Sequence, residues 1–130
     1  MQWTMTYPGL PSMVPAIRAW VRAMLTCSPR RDDAELVIAE LVANSLRHTP
    51  SGQPGGEVTV TVTVRDGWAR VTVADSGPGD WERPDLTPDE LEVYGRGLLI
   101  VDVVADKVGH DVSQDGQVMW AEFEWRPTDG

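Results

Sequence analysis

The chain has 130 residues, which is enough to bury a core around a ligand but short for a sensor joined to a catalytic module. Its formal net charge is −9, from 20 acidic and 11 basic residues, and its arginines are scattered along the sequence. A phosphate backbone would be repelled by such a chain, so a nucleic-acid-binding function is excluded. We expect one domain over residues 1–130.

The cysteine content and the distribution of apolar residues exclude further classes of protein. Cys27 is the only cysteine, so an internal disulfide is impossible, and two histidines with one thiol cannot readily supply four zinc ligands. Residues 1–7 lack the basic start and apolar run of a signal peptide, and no later stretch has the length of a membrane span. The sequence therefore predicts a cytoplasmic protein.

Two amphipathic helices are predicted in the first half of the chain. Apolar residues recur at helical spacing over residues 17–25, and this helix ends before Pro29. Asp32 and Asp33 are suitable N-cap and first-turn residues for a second helix over residues 34–48, which contains neither glycine nor proline.

Four strands are predicted from alternation and turn signals. Valine and threonine alternate over residues 58–64, and an Asp-Gly pair at 66–67 predicts a tight hairpin into a return strand over residues 68–75. Two further strands, 108–112 and 117–125, finish the chain around a second Asp-Gly turn. These strands predict antiparallel pairing between chain neighbours.

Polar residues share one arc of the second helix. They are Glu40, Asn44, Arg47 and His48. The alternatives are an ordinary solvated face and a local polar site in a buried helix; apolar Leu36 and Val37 one turn earlier favour the site. A carboxylate and a carboxamide one turn apart can divide the work of phosphoryl transfer, with the amide oxygen on Mg²⁺ and the carboxylate orienting a hydroxyl or water. Spacing alone assigns neither role.

A carboxylate also lies on the apolar side of the return strand. Asp75 continues the alternation of Ala69, Val71 and Val73 and therefore needs a partner. It begins the string Asp-Ser-Gly-Pro-Gly over residues 75–79, whose glycines permit close approach to a flat ligand. A plain turn with Asp at its first position is an equal alternative.

A second glycine pair precedes the third predicted helix, which spans residues 97–105. Gly95, Arg96 and Gly97 place free backbone N–H groups at a helix start, which attracts phosphate. Ile100 occupies the position of the third glycine of a dinucleotide-binding motif, and no glycine is followed by the Lys-Ser/Thr of a P-loop, so both of those motifs are excluded. Simple loop closure before a core helix is the alternative.

Taken in this order and spacing, the three motifs resemble those of the histidine-kinase-like ATPase (GHKL) superfamily, over nearly the whole chain. Residues 40–48 are similar to its Asn box, residues 75–79 to its first glycine box and residues 95–98 to its second. More narrowly, the chain resembles the short anti-sigma-factor serine kinases and related stand-alone ATP-binding regulators. The resemblance implies the Bergerat fold, an α+β two-layer sandwich in which three helices cover one face of a mixed, mostly antiparallel sheet of about five strands.

The resemblance also implies roles for single residues. Asn44 would coordinate Mg²⁺, Glu40 would act as the base or orienting group for the attacking oxygen, and Asp75 would accept a hydrogen bond from the adenine amino group. The remaining contacts to ATP are expected from Gly77, Gly79, Gly95, Arg96, Gly97, Leu98, Arg47 and His48. Structural packing of His48 against the lid, the loop between the two glycine boxes, is an equal alternative to a phosphate contact.

Two departures from the family pattern are visible. Relatives usually place a threonine in the last hairpin near the adenine carboxylate, and Val118 is expected there in this chain. The segment from Ser76 to Tyr94 is strongly acidic for a loop beside a triphosphate. An outward-turned loop that meets a partner and an ordinary solvated loop are the two interpretations.

Two functions follow from the resemblance. The first is a protein serine/threonine kinase that phosphorylates a small antagonist protein and so controls a sigma factor; Glu40 favours it, because a pure binder has no evident need for that carboxylate. The second is a non-catalytic ATP-dependent interaction module, which the acidic loop favours equally. A histidine-kinase fragment is disfavoured, because no phosphoacceptor helix pair is present. Relatives form dimers, so Trp3 is considered part of an edge strand that pairs with a second copy.

Overall fold

The secondary structure follows the predicted order. A computed structural model describes residues 1–48, 55–76, 99–113 and 116–127. Its elements are β1 (Gln2–Pro8), a 3-10 turn (Pro11–Met13), α1 (Val14–Met24), α2 (Arg31–His48), β2 (Glu57–Arg65), β3 (Trp68–Ser76), a helical segment over residues 99–104 that we call α3, β4 (Lys107–Ser113) and β5 (Gly116–Glu124). The two predicted helices of the first half and the four predicted strands are confirmed, with ends displaced by a few residues.

The strands of the described residues form one five-stranded sheet in the order β1-β2-β3-β5-β4. Every neighbouring pair is antiparallel. The hairpin between β2 and β3 turns at Asp66 and Gly67, and the φ of Gly67 is 73°, a conformation that favours glycine. The predicted sandwich is therefore confirmed, with antiparallel pairing throughout the described strands.

β1 is one edge of this sheet. It pairs with β2 along its whole length, from Gln2 opposite Thr63 to Pro8 opposite Glu57. Trp3 thus lies in an edge strand, as expected, and its ring packs against the core. The partner of β1 in this chain is β2, and the paired residues are between 49 (Pro8 and Glu57) and 61 (Gln2 and Thr63) positions apart in sequence.

The core lies between the sheet and the helices. Alternate residues of the central strands point to the helix side, where burying each aliphatic side chain contributes about 1.5–3 kcal/mol. The fully buried members from the strands include Val58, Val60, Val62, Val71, Val73, Ala121 and Phe123, and those from the helices include Ile17, Val21, Val37, Ile38, Leu41, Val42 and Val101. Because all belong to one cluster, α1, α2 and α3 cover the same face of the sheet.

The start of α2 differs from the prediction. The helix begins at Arg31, so Asp32 lies in its first turn instead of at the N-cap, whereas Asp33 lies in the first turn as predicted. Before it, the Ser28 hydroxyl accepts a hydrogen bond from the Arg30 backbone N–H at 3.0 Å. Acidic residues remain favourable in the first turn, since the helix dipole is positive there.

Two features bear on the class of protein. Cys27 is a free, exposed thiol. Among the helices of the described residues, none combines the length and the apolar character that a membrane span requires.

Candidate functional site

The second half of α2 is buried against the sheet. Ile38, Leu41 and Val42 are fully buried, and the helix contacts β3 and β5. Asn44 is 7% exposed within this segment, whereas Glu40, one turn earlier, is partly exposed. A buried carboxamide requires hydrogen-bond partners, so an ordinary solvated face does not describe Asn44.

One line of side chains along α2 runs from solvent into the core. Leu36, Glu40 and Asn44 are spaced by four residues and lie almost above one another on the helix. Leu36 is exposed, Glu40 is partly exposed and Asn44 is buried. The apolar residues one turn before the polar arc predict buried surroundings there. This is confirmed for Val37, which is buried, and wrong for Leu36, because neighbouring residues point about 100° apart around a helix.

The carboxamide of Asn44 contacts β5. Its Nδ2 donates to the Met119 sulfur at a distance of 3.0 Å. Met119 is 2% exposed and belongs to the core cluster. This contact joins the end of α2 to a central strand of the sheet.

Asp75 lies on the same side of the sheet as Asn44. It is 8% exposed and lies within β3, opposite Val58 of β2. Both carboxylate oxygens accept a hydrogen bond from the backbone N–H of Gln117, each at 3.1 Å. Asp75 is thus a buried strand residue with a fixed orientation, which the plain-turn alternative does not explain.

The two contacts bring Asn44 and Asp75 together. Gln117 and Met119 are two residues apart on β5, so their side chains share a face and their Cα atoms lie about 7 Å apart. One of them holds Asp75 and the other contacts Asn44. The carboxylate and the carboxamide therefore lie within the span of one small ligand, although they are 31 positions apart in sequence.

The expected position of Val118 is wrong. Val118 is 36% exposed and pairs with Ala74, on the face of the sheet that the helices leave uncovered. Gln117, one residue earlier, is 4% exposed and holds Asp75. Strand alternation puts only one of two consecutive residues on the site face, and the parity of Phe123 and Ala121 could have identified Gln117 from the sequence.

Several predicted site residues, or their side chains, lie outside the part of the chain that the structure describes. Arg47 and His48 form the last turn of α2, but their side chains are outside the described residues. The same holds for the whole of both glycine motifs after Ser76, which comprises Gly77, Gly79, Gly95, Arg96, Gly97 and Leu98. The acidic segment up to Tyr94 also lies outside the described residues.

The oxygen donor that Asn44 offers suits a metal ion that the protein binds jointly with a second ligand. Within the described ranges, no group of three or more His, Cys, Asp or Glu side chains is arranged to hold an ion. Mg²⁺ in nucleotide sites is commonly held by one or two protein oxygens together with phosphates and water. A single amide oxygen from Asn44 is compatible with that mode.

A cavity of about 300 Å³ lies at the other end of the sheet. Its lining includes Trp3 of β1, Gly67 of the β2–β3 hairpin and Trp125 beyond β5. Asp75 is at the opposite end of β3 from this hairpin. The cavity contains none of the predicted nucleotide-binding residues.

The whole arrangement agrees with a family model. The model of the histidine kinase-like ATPase domain matches residues 7–123, which include α2 and the strands that carry Asp75 and Met119. The chain belongs to this family. Membership places it among ATP-binding domains of the GHKL type.

Individual members of the family with named activities align with part of the chain. The anti-sigma F factor of Geobacillus stearothermophilus is 29% identical over 101 residues, which are 71% of this chain and 67% of the relative. The anti-sigma F factor of Geobacillus thermodenitrificans is 34% identical over 82 residues, 58% of this chain and 56% of the relative. The serine-protein kinase RsbW of Listeria monocytogenes is 24% identical over 87 residues, 59% of this chain and 55% of the relative. The chain thus spans between about half and two thirds of these relatives.

A solved structure with the same fold is the nucleotide-free catalytic domain of the histidine kinase ThkA. It superposes with a TM-score of 0.51 at 17% sequence identity, covering 97% of this chain and 99% of that domain. The likeness confirms the histidine kinase-like ATPase fold.

Proposed function

We propose that this histidine kinase-like ATPase domain binds Mg·ATP and acts as a serine/threonine kinase of the anti-sigma-factor type. It would transfer the γ-phosphoryl group of ATP to a hydroxyl of a small antagonist protein and release ADP, and so control the availability of a sigma factor. The named activities of the relatives support this. The observation that carries it is the placement of buried Asn44 and buried Asp75 on the same side of the sheet, with Glu40 one helical turn before Asn44.

Each of these residues has a proposed role. The amide oxygen of Asn44 would bind Mg²⁺, which when bound neutralises charge on the phosphates. Glu40 would accept the proton of the attacking hydroxyl. Asp75 would accept a hydrogen bond from the adenine amino group, a donor that guanine lacks at the same position, and so select ATP over GTP.

The remaining roles are proposed on the family resemblance. The phosphates would be bound by backbone and side chains of Gly95, Arg96, Gly97 and Leu98, with Arg47 or His48 beside them. Gly77 and Gly79 would allow close approach of the backbone to the base. A homodimer through the edge of β1 belongs to the same proposal.

A non-catalytic interaction module is the second candidate. Leu99, Ile100 and Val103 are exposed on α3, and a partner that reads the nucleotide state could cover such apolar side chains. The two candidates share the nucleotide site and differ in the role of Glu40.

The deciding experiment compares wild type with Glu40→Gln. Mg-dependent ATP binding is measured by calorimetry, and γ-phosphate transfer is measured with antagonist proteins from the same genome. The control is Glu57→Gln, the same change at an exposed residue of β2 that points to the opposite face of the sheet from Val58. We expect Glu40→Gln to retain ATP binding and to lose transfer by about 100-fold or more, the range of a positioned general base.

The other possible results have different consequences for the two candidates. Transfer that survives Glu40→Gln would remove the proposed role of this carboxylate. A wild-type protein that binds ATP but neither hydrolyses it nor phosphorylates any candidate would be an interaction module. A wild-type protein that does not bind adenine nucleotides with Mg²⁺ would overturn both candidates.

A further inference from the structure

The contact between Asn44 and Met119 fixes which end of the carboxamide faces β5. A carboxamide has an NH₂ end that donates and an oxygen end that accepts, and the two ends have nearly the same size and shape. A thioether sulfur accepts weakly and cannot donate. With Nδ2 3.0 Å from the Met119 sulfur, the amide oxygen is directed away from β5.

That orientation decides whether Asn44 can serve a metal. Mg²⁺ takes oxygen ligands, and a rotation by 180° about the last side-chain bond would turn the NH₂ group toward the ion. At 7% exposure, Asn44 has little bulk water to compensate either orientation. The group that contacts the amide on the side away from the ion therefore controls whether the amide oxygen can bind Mg²⁺.

Met119 is itself well fixed. It is 2% exposed and lies in a central strand, with Val73 opposite it on β3 and His110 opposite it on β4. Its side chain belongs to the core cluster, whose members restrict its rotamers. A sulfur atom in a fixed position can fix the orientation of the carboxamide on the neighbouring helix.

We propose that Met119 is a positioning residue for the metal site, which holds the Asn44 carboxamide with its oxygen directed at Mg²⁺. The inference rests on the proposed role of Asn44 in Mg·ATP binding and adds a determinant outside the three sequence motifs. Residues that orient a metal ligand typically change metal affinity by about 10- to 100-fold when they are replaced.

The test separates the metal from the nucleotide. The affinity for ADP is measured by calorimetry with saturating Mg²⁺ and again with EDTA, and the ratio of the two gives the contribution of the metal. Met119→Leu conserves volume and removes the acceptor, whereas Met119→Gln supplies a carbonyl acceptor on a chain of similar length. Met24→Leu, in the part of α1 that packs at the core edge, is the matched control.

We expect Met119→Leu to lower the Mg-dependent gain in affinity by about tenfold, with the affinity in EDTA changed less than about twofold. Met119→Gln should recover most of that gain, and Met24→Leu should behave as wild type. The side-chain NH₂ resonances of Asn44 in the metal-free protein give an independent readout. They should shift in Met119→Leu in a way that Met24→Leu does not reproduce.

Other results would overturn the inference in distinguishable ways. A full Mg-dependent gain in Met119→Leu, or an equal loss of affinity with and without metal, would leave Met119 as a packing residue only. If wild type binds no ADP, or binds it without any gain from Mg²⁺, the proposed function fails first and this inference fails with it. A Met119→Leu protein that does not fold leaves the decision to Met119→Gln, whose gain must then remain close to that of wild type.

Discussion

At the scale of single residues, Asp75 combines burial with a directional hydrogen bond. A buried carboxylate is costly unless it is hydrogen-bonded, and the Gln117 backbone N–H bonds both of its oxygens. This hydrogen bond, donated from β5, restricts rotation of the carboxylate. A carboxylate fixed in this way would suit the proposed role of Asp75 in selecting adenine, because a selective group must not rotate to suit a second ligand.

Asp75→Asn should weaken ATP binding. The substitution keeps the shape of the side chain but replaces a charged acceptor, and a hydrogen bond to a charged group is worth about 1.5–3 kcal/mol, which corresponds to roughly 10- to 100-fold in affinity. Calorimetry with ATP and with GTP measures both the loss and the change in selectivity. Asp66→Asn is the control, since Asn-Gly supports the same hairpin turn at the far end of the strand. Equal ATP affinity in wild type and Asp75→Asn would remove the adenine role.

At the scale of secondary-structure elements, Arg30 joins three of them. Its guanidinium donates to the Asp106 carboxylate, to the Glu124 carbonyl and to the Val104 carbonyl, each at 2.8 Å. It also lies 5.3 Å from the centre of the Phe123 ring. The start of α2 is therefore tied to the end of α3 and to the end of β5. The planar fork of arginine suits several acceptors at once, which lysine cannot match.

A second element-level contact lies on the uncovered face of the sheet, between β4 and β5. Gly109 is opposite Trp120, and a Cβ built on Gly109 would be 1.8 Å from the indole ring. Arg70 lies over the same ring at 5.3 Å and forms an ion pair with Glu122 at 2.9 Å. The absence of a side chain at position 109 is what lets the indole lie across the edge strand.

Gly109→Ala should destabilise the protein by about 1–3 kcal/mol, the usual cost of overpacking, because the indole ring must move. Urea unfolding of the single variant measures this cost. In a Trp120→Ala background the same change should be neutral or slightly stabilising, since the three atoms nearest to the added Cβ all belong to the indole and alanine reduces the freedom of the unfolded chain. An equal cost in both backgrounds would show that the indole contact is not the cause.

At the scale of the whole molecule, carboxylates that join separate parts of the chain contribute to the pH dependence of stability. The hydrogen bond from the Glu124 backbone N–H lowers the pKa of Asp106, burial opposes this, and the bond from Arg30 adds to it. Hydrogen bonding and charge from Arg22 lower the pKa of Asp32, which links α1 to α2. Both carboxylates are more acidic in the folded protein than in the unfolded chain.

The sign of the pH dependence follows from this. A lowered folded pKa contributes stability that is present above the ordinary aspartate value of 3.8 and is lost as pH falls through the folded pKa. The difference in unfolding free energy between wild type and Asp106→Asn should therefore be largest near neutral pH and shrink below about pH 4. Urea unfolding from pH 3 to pH 7 measures it. Asp111→Asn, at an exposed residue of β4, is the matched control; a constant gap for Asp106→Asn would contradict the assignment.

Local patterns accounted for the elements and for part of the site. Alternating valine and threonine predicted β2, and the Asp-Gly pair predicted its hairpin, because strand faces and tight turns depend on neighbouring residues. The same alternation correctly placed Asp75 on the buried face of β3. Helical spacing placed Glu40 and Asn44 on one arc of α2. The roles of these residues remain proposals that rest on the family resemblance.

Contacts between distant parts of the chain could not be read in this way. Nothing local indicates that β1 pairs with β2, that β5 lies between β3 and β4, or that the Gln117 backbone N–H meets the Asp75 carboxylate. The contact between Asn44 and Met119 crosses 75 positions of sequence. Sequence alone determined which residues could form helices, strands and nucleotide-binding motifs, since those preferences are set within a few residues. Only the tertiary structure decided which of them meet, because packing α2 across β3 and β5 is a property of the folded core as a whole.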